Sequence, residues 1–132
     1  MEGLASGPAI ARRWNRSLSE LAPDHPAHAI VADYLAQLVV AQQALLAPGR
    51  IALGGGVMAT PGLLERVRQR AAELGGRYFP PACNPDGELI GGPALGDRVG
   101  VLGALALAAD AAGSDLVISP AQLQAGARAA SS

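Results

Sequence analysis

The chain has 132 residues, among them 17 Gly and 10 Pro, and half are apolar, which suits one small globular domain and excludes a collagen or a disordered tail. Ten basic residues stand against 11 acids, a formal charge of −1, so the basic footprint that nucleic acid or an anionic membrane demands is absent. All the strong bases are Arg, which excludes a Schiff-base or P-loop lysine, and Cys83 stands alone, which excludes an internal disulfide or a CxxC zinc site.

In chain order, Met1 to Arg13 has no charged segment leading into an apolar run and does not resemble a signal peptide. Ser6-Gly7-Pro8 reads as a turn into a short helix through Trp14, with Pro8 early, where its missing N–H costs nothing. Pro23, Asp24 and Pro26 punctuate the next connection, and Asp24 is the expected cap of a helix from Pro26 to Leu46. Val31, Tyr34, Leu35, Leu38, Leu45 and Leu46 give that helix a wide apolar face, and Pro48-Gly49 ends it. Arg50 to Leu53 is a candidate strand leading into Gly54-Gly55-Gly56. Thr60-Pro61 is the expected start of the next helix, as capping hydroxyl and first helical proline. Leu63, Leu64, Val67, Ala71 and Leu74 follow at helical spacing, and Gly75-Gly76 stops the run.

Arg77 to Gly87 has a loop composition, and Glu88 to Gly91 is a second candidate strand. After Gly92-Pro93 comes a last helix, from about Asp97 to Ala112, apolar nearly all round and therefore expected to be buried. Its Gly96, Gly100, Ala104 and Ala108 form a small-residue ridge that invites close approach. The longest apolar stretch, Val99 to Ala109, falls short of the roughly 20 residues of a membrane span, so the expectation is a cytoplasmic protein. Residues 1–113 are taken as the structured part, and 114–132, rich in small residues, as a flexible tail. The order α-α-β-α-β-α is α/β, but two strands make a poor sheet, and the organisation is that of part of a domain.

Gly54-Gly55-Gly56-Val57-Met58-Ala59 fits G-x-G-x-x-G/A after a strand, where glycine lets backbone touch a phosphate or a sugar. A dinucleotide site, another kind of nucleotide contact and a purely structural turn all remain open on these residues. Against the first, Thr60-Pro61 starts the helix after the glycines and not within them, and no acid is placed to hold a ribose. His25 and His28 have the spacing of a metal pair, but Pro26 lies between them and no third ligand is near. Cys83, in a proline-rich loop without a histidine, reads as an ordinary thiol. On composition, Glu2 and Asp97 are surface acids or caps.

Three stretches resemble the bacterial fructokinases of the ROK family (repressors, open reading frames and sugar kinases). They are Glu2-Gly3-Leu4-Ala5-Ser6-Gly7-Pro8-Ala9, Leu53-Gly54-Gly55-Gly56-Val57-Met58, and the run from Pro93-Ala94-Leu95-Gly96-Asp97 to Leu105. Ala22-Pro23-Asp24-His25-Pro26 and Leu63 to Arg68 look similar too, so the resemblance extends over residues 2–112. It implies the C-terminal half of an ATP-dependent fructose kinase, a partial actin-like (ribonuclease H-like) ATPase lobe. By the same resemblance Glu2 contacts sugar hydroxyls, and Pro8 with Gly54, Gly55, Gly56, Val57 and Met58 borders the adenosine of ATP or ADP, which binds with Mg2+. Gly96 and Gly100 match the turn and helix beneath that pocket.

The family's Asp-x-Gly-Gly-Thr motif, catalytic aspartate, second phosphate loop and Cys/His zinc site have no counterpart in this sequence. No catalytic and no metal-binding residue is therefore assigned, and the chain alone is expected to be inactive. Gly91-Gly92-Pro93 and Ala82 to Gly87 depart from the family's pattern, which bears on the second strand. Two other readings stand beside this one. The first is a non-catalytic module that self-associates through apolar helix faces; the second is that Met1 is a misassigned start or a frameshift scar.

Overall fold

The structure is a computed structural model that describes residues 2–76, 78, 89–93 and 99–113. Two compact units make up the chain, residues 1–92 and residues 93–132. The first holds a one-turn helix α1 (Glu2–Ala5), α2 (Gly7–Trp14), α3 (Pro26–Leu46), β1 (Ile51–Ala52), α4 (Leu63–Gly75) and β2 (Ile90–Gly91). The second holds α5 (Val99–Ala111). Short 3-10 turns lie at Leu18–Glu20 and Gly56–Ala59. The result is mostly helical with a small parallel sheet, an α/β arrangement, and α1 is an element that the sequence pattern does not announce.

Ser6 caps α2, its Oγ accepting the Ala9 N–H at 3.3 Å, with Pro8 in the first turn. Asn15 ends α2 in the left-handed conformation (φ 56°), which asparagine tolerates better than most residues. In the turn that follows, the Ser17 N–H and hydroxyl both donate to Glu20, at 2.9 and 2.8 Å. The Ser17 backbone bond, ahead of the hydroxyl bond, holds the Glu20 carboxyl below its ordinary value.

The cap of α3 is a correction. Its bounds are those expected, but His25 and not Asp24 caps it, with Nδ1 accepting the Ala27 N–H at 3.1 Å. The imidazole stands one residue closer to the helix and meets Trp14 edge to face at 6.5 Å, so the aromatic contact and the cap hold the same ring.

α3 and α4 pack on each other, and their contact is the most extensive between elements. Ala27, Val31, Ala32, Ala36 and Val39 of α3 are buried against a core that includes Leu63, Val67 and Ala71 of α4. Three alanines on that face let the helix axes approach closely. Outside the core, Arg70 on α4 donates to Asp33 on α3 at 2.6 Å and to Glu73 at 3.0 Å, while Gln37 donates to Asp33 at 2.7 Å. The Arg70 bond, then the Gln37 bond, holds the Asp33 carboxyl below its ordinary 3.8, and Arg70 is correspondingly raised. By length and composition α3 could cross a membrane, although the longest unbroken apolar stretch of the sequence lies elsewhere. Its buried alanine and valine face and its ion-paired Asp33 are what a core helix carries.

α4 also links the two strands. β1 and β2 are parallel, with Ile51 opposite Ile90 and Ala52 opposite Gly91, so β1-α4-β2 is a crossover unit. The Ile51 N–H donates to the Leu89 carbonyl at 2.7 Å, and the Leu53 N–H to that of Gly91 at 2.8 Å. Arg68 of α4 donates to the Ile90 carbonyl at 2.9 Å, tying the crossover helix to the second strand. Gly91 leaves room for the Arg50 guanidinium, since a Cβ there would lie 3.1 Å from a guanidinium nitrogen.

The start of α4 is a second correction: its first helical residue is Leu63, behind Gly62 at φ 73°, and not Pro61 behind a Thr60 cap. Thr60 instead closes the 3-10 turn, its N–H donating to the Val57 carbonyl and its carbonyl accepting from Leu63. The left-handed Gly62 separates Pro61 from the helix. α5 has the expected character but none of its residues is buried, against expectation. A helix that is apolar all round needs neighbours on every side, and Val101 and Leu107 are 66% and 73% exposed. Phe79, the Ala82 to Gly87 loop, Cys83, Glu88, Gly96, Asp97 and residues 114–132 lie outside the described residues.

Two outcomes follow from the α3–α4 packing. Leu63→Ala, which empties a fully buried site between the helices, should lower the unfolding free energy by about 2–5 kcal/mol in urea denaturation. Asp33 ionises more readily in the folded than in the unfolded chain, so its contribution is complete above its ordinary 3.8 and is lost as pH falls through its lowered value. Asp33→Asn should flatten that part of the stability profile, read from urea midpoints between about pH 5 and about pH 2.

Candidate functional site

The chain leaves β1 directly into the glycine run. Gly55 has φ 100° and ψ 168°, a conformation that essentially only glycine adopts, and it turns the backbone into the Gly56–Ala59 3-10 turn. That turn directs Val57 and Met58 half inward, against the core. On the other side stand the start of α2 and the Leu18–Glu20 turn, with Ile10 and Leu18 buried.

Between these segments lies a cavity of about 290 Å³, lined by Gly7, Ile10, Ser17, Leu18, Ser19, Gly56, Val57 and Thr60. The Ser6-Gly7-Pro8 turn and the glycine loop, more than forty residues apart in sequence, thus reach one cavity through Gly7, Gly56 and Val57. The lining contains no charged side chain. Ile10, Leu18 and Val57 offer apolar walls, and Ser17, Ser19 and Thr60 offer hydroxyls. Such a site suits a neutral, flat, polar-edged group, and it has no acid or base with which to move a proton. Its volume lies near the lower end of small-molecule sites, which run from roughly 300 to 1,000 Å³.

The expected site residues divide. Gly56 and Val57 line the cavity, and Pro8 is an exposed neighbour of the lining Gly7. Gly54 and Gly55 are exposed and set the path of the loop, and Met58 packs toward the core. Glu2 is exposed on α1 and does not line the cavity. Sequence reasoning missed Ile10 and the Ser17-Leu18-Ser19 hydroxyls. A small polar pair flanking one apolar residue just after a helix was the available sign, but it is common in ordinary turns. Thr60, expected as a cap, is instead a buried part of the cavity wall.

The two histidines of the HxxH spacing are held differently. The His25 Nδ1 is taken by the Ala27 N–H, while His28 is buried with Nε2 unpartnered among the described residues. No cluster of three or more His, Cys, Asp or Glu occurs among the described residues. The glycine loop also differs from a dinucleotide fingerprint, because the helix that follows it, α4, starts at Leu63 and not within the glycine run.

Residues 1–111 match the ROK family. The chain belongs to that family. The fructokinase of Zymomonas mobilis is 47% identical to it over 109 residues, covering 81% of this chain and 36% of that protein. The fructokinase of Pediococcus pentosaceus is 37% identical over 109 residues, 82% of this chain and 37% of that one. A putative fructokinase of Bacillus subtilis is 34% identical over 109 residues, 81% and 36% respectively. The chain therefore spans little more than a third of the length of these ROK relatives.

Because Gly55 alone makes the exit from β1 possible, Gly55→Ala should destabilise the fold by about 1–3 kcal/mol. Thermal unfolding measures that cost. A control at Gly49, where a Cβ meets nothing and no positive φ is required, should move the midpoint far less.

Proposed function

We propose that residues 1–113 form the nucleotide-facing, C-terminal half of an ATP-dependent fructokinase, part of an actin-like (ribonuclease H-like) lobe in a cytoplasmic enzyme. The observation that carries this reading is the convergence of the Gly7 turn and the Gly56-Val57 loop on one uncharged cavity. That cavity is the seat proposed for the adenosine of ATP or ADP: apolar walls for the base, hydroxyls and glycine backbone for the polar edges. The similarity to fructokinases supports the assignment of substrate. Glu2 is proposed to receive sugar hydroxyls, outside the cavity.

Bound ATP would supply the transferable phosphoryl group, held with Mg2+. The residues described fit the adenosine and not the metal, since no acidic cluster is present among them, so no step is assigned here to Mg2+ or to the family's zinc. Phosphoryl transfer depends mainly on positioning and on charge stabilisation. This chain's share is positioning: the cavity would hold the base and ribose, and its neutral lining offers the phosphates no charged partner. The general base and the phosphate cradle of the family are not among its residues, and the chain alone is proposed to be inactive.

A second reading has its own observation. Leu45 and Leu46 at the end of α3 are 82% and 73% exposed, and α5 carries exposed Val101, Leu105 and Leu107. Apolar surface of this kind favours self-association. Light scattering behind a sizing column decides it, since a clean monomer at micromolar concentration removes that reading.

Calorimetric titration with MgADP tests the first. Saturable binding is expected, weakened about tenfold or more by Val57→Trp, which fills the cavity. Absence of saturable binding, or no effect of Val57→Trp in a folded variant, overturns the adenosine seat. Fructose phosphorylation by the chain above a no-protein control would overturn the proposed inactivity.

A further inference from the structure

A larger cavity, about 620 Å³, lies along α3 and α4 beside the end of α2 and takes no part in the nucleotide reading. Arg13 from the end of α2, Asp33 and Tyr34 from α3, and Arg66, Arg70 and Glu73 from α4 all line it. Its charges are sorted. Arg70 is committed to Asp33 and Glu73, at 2.6 and 3.0 Å, which makes a carboxylate-rich side one to two helical turns along α4. Arg13 and Arg66 are not paired with a carboxylate among the described residues. The Arg13 guanidinium lies 4.8 Å from the Trp14 ring centre and donates to the Tyr34 hydroxyl at 3.4 Å. Arg66 donates one N–H to the Pro23 carbonyl at 3.1 Å.

Two guanidiniums with uncommitted donors therefore share a cavity with two carboxylates that each keep accepting capacity beyond Arg70. The geometry points to a second ligand site, for a small phosphate ester with a hydroxylated body. Its phosphate accepts from Arg13 and Arg66, the strong charge-assisted pairing that guanidinium makes with phosphate oxygens. Its hydroxyls donate to Asp33 and Glu73. Three arginines against two acids leave one positive charge in the lining, which favours an anion over a neutral polyol. The volume admits a phosphorylated sugar or polyol. Arg66, Arg70 and Glu73 stand on the helix that carries the crossover between the strands, so occupancy braces α4 against α3.

The test is calorimetric titration of the full 132-residue chain with glycerol 3-phosphate, inorganic phosphate and glycerol, at constant ionic strength. Glycerol 3-phosphate should bind saturably and more tightly than inorganic phosphate, with glycerol silent. The double variant Arg13→Gln/Arg66→Gln, its fold checked by circular dichroism, should weaken that binding about tenfold or more. Both side chains are exposed and outside the core, so the variant should fold. Three results would overturn the site: no saturable binding up to about 10 mM, equal affinity for inorganic phosphate, or full binding retained by the folded double variant.

Discussion

The packing of α3 on α4 is the constraint on which the rest of the first unit depends. Ala27, Ala32 and Ala36 keep α3 thin enough for Leu63 and Val67 to reach the core, and the Asp33–Arg70 pair bridges the two helices outside it. The two-residue strands could not persist unaided, because an isolated pair is marginal in water. They persist because α4 is the connection between them and because Arg68 holds the Ile90 carbonyl. Placing β1 places the glycine loop that follows it. The cavity at Gly56 and Val57 is thus a consequence of helix packing elsewhere in the same unit.

That dependence explains how a chain covering about a third of its ROK relatives can carry a coherent cavity. The elements around it, α2, the Leu18–Glu20 turn and the glycine loop, all belong to residues 1–92 and share one core. Charge is partitioned in the same economical way. The small cavity is lined by neutral side chains, and the arginines and acids of α3 and α4 line the larger one. A nucleoside and an anion would therefore meet different chemistry in the two cavities.

Much of the local structure was legible in the residues. The bounds of α3, the proline and serine at the start of α2, the apolar spacing of α4 and the strand before the glycines follow from period and punctuation, which act within a few residues. The caps were less legible. His25 displaced Asp24 because its ring is also held by Trp14, a contact between elements that no local rule reports. Thr60 lost its expected role because Gly62 takes the left-handed turn, and several glycines in this stretch were equally able to do so. The burial expected of α5 failed for a different reason: an apolar surface states what a helix needs, not whether its neighbours are supplied.

By itself, the sequence determined the α/β character, that this chain supplies no lysine and no disulfide within itself, the glycine loop after a strand, and membership of the ROK family. These depend on residue identity and short spacing, which are complete in one dimension. Tertiary structure alone decided that Gly7 and Ile10 meet Val57 in one cavity, that Ser17, Ser19 and Thr60 line it too, and that Arg13 joins Arg66 in another. Such meetings depend on how α2 and the glycine loop are held by the α3–α4 core, and side chains distant in the chain acquire a common environment only when that packing is made.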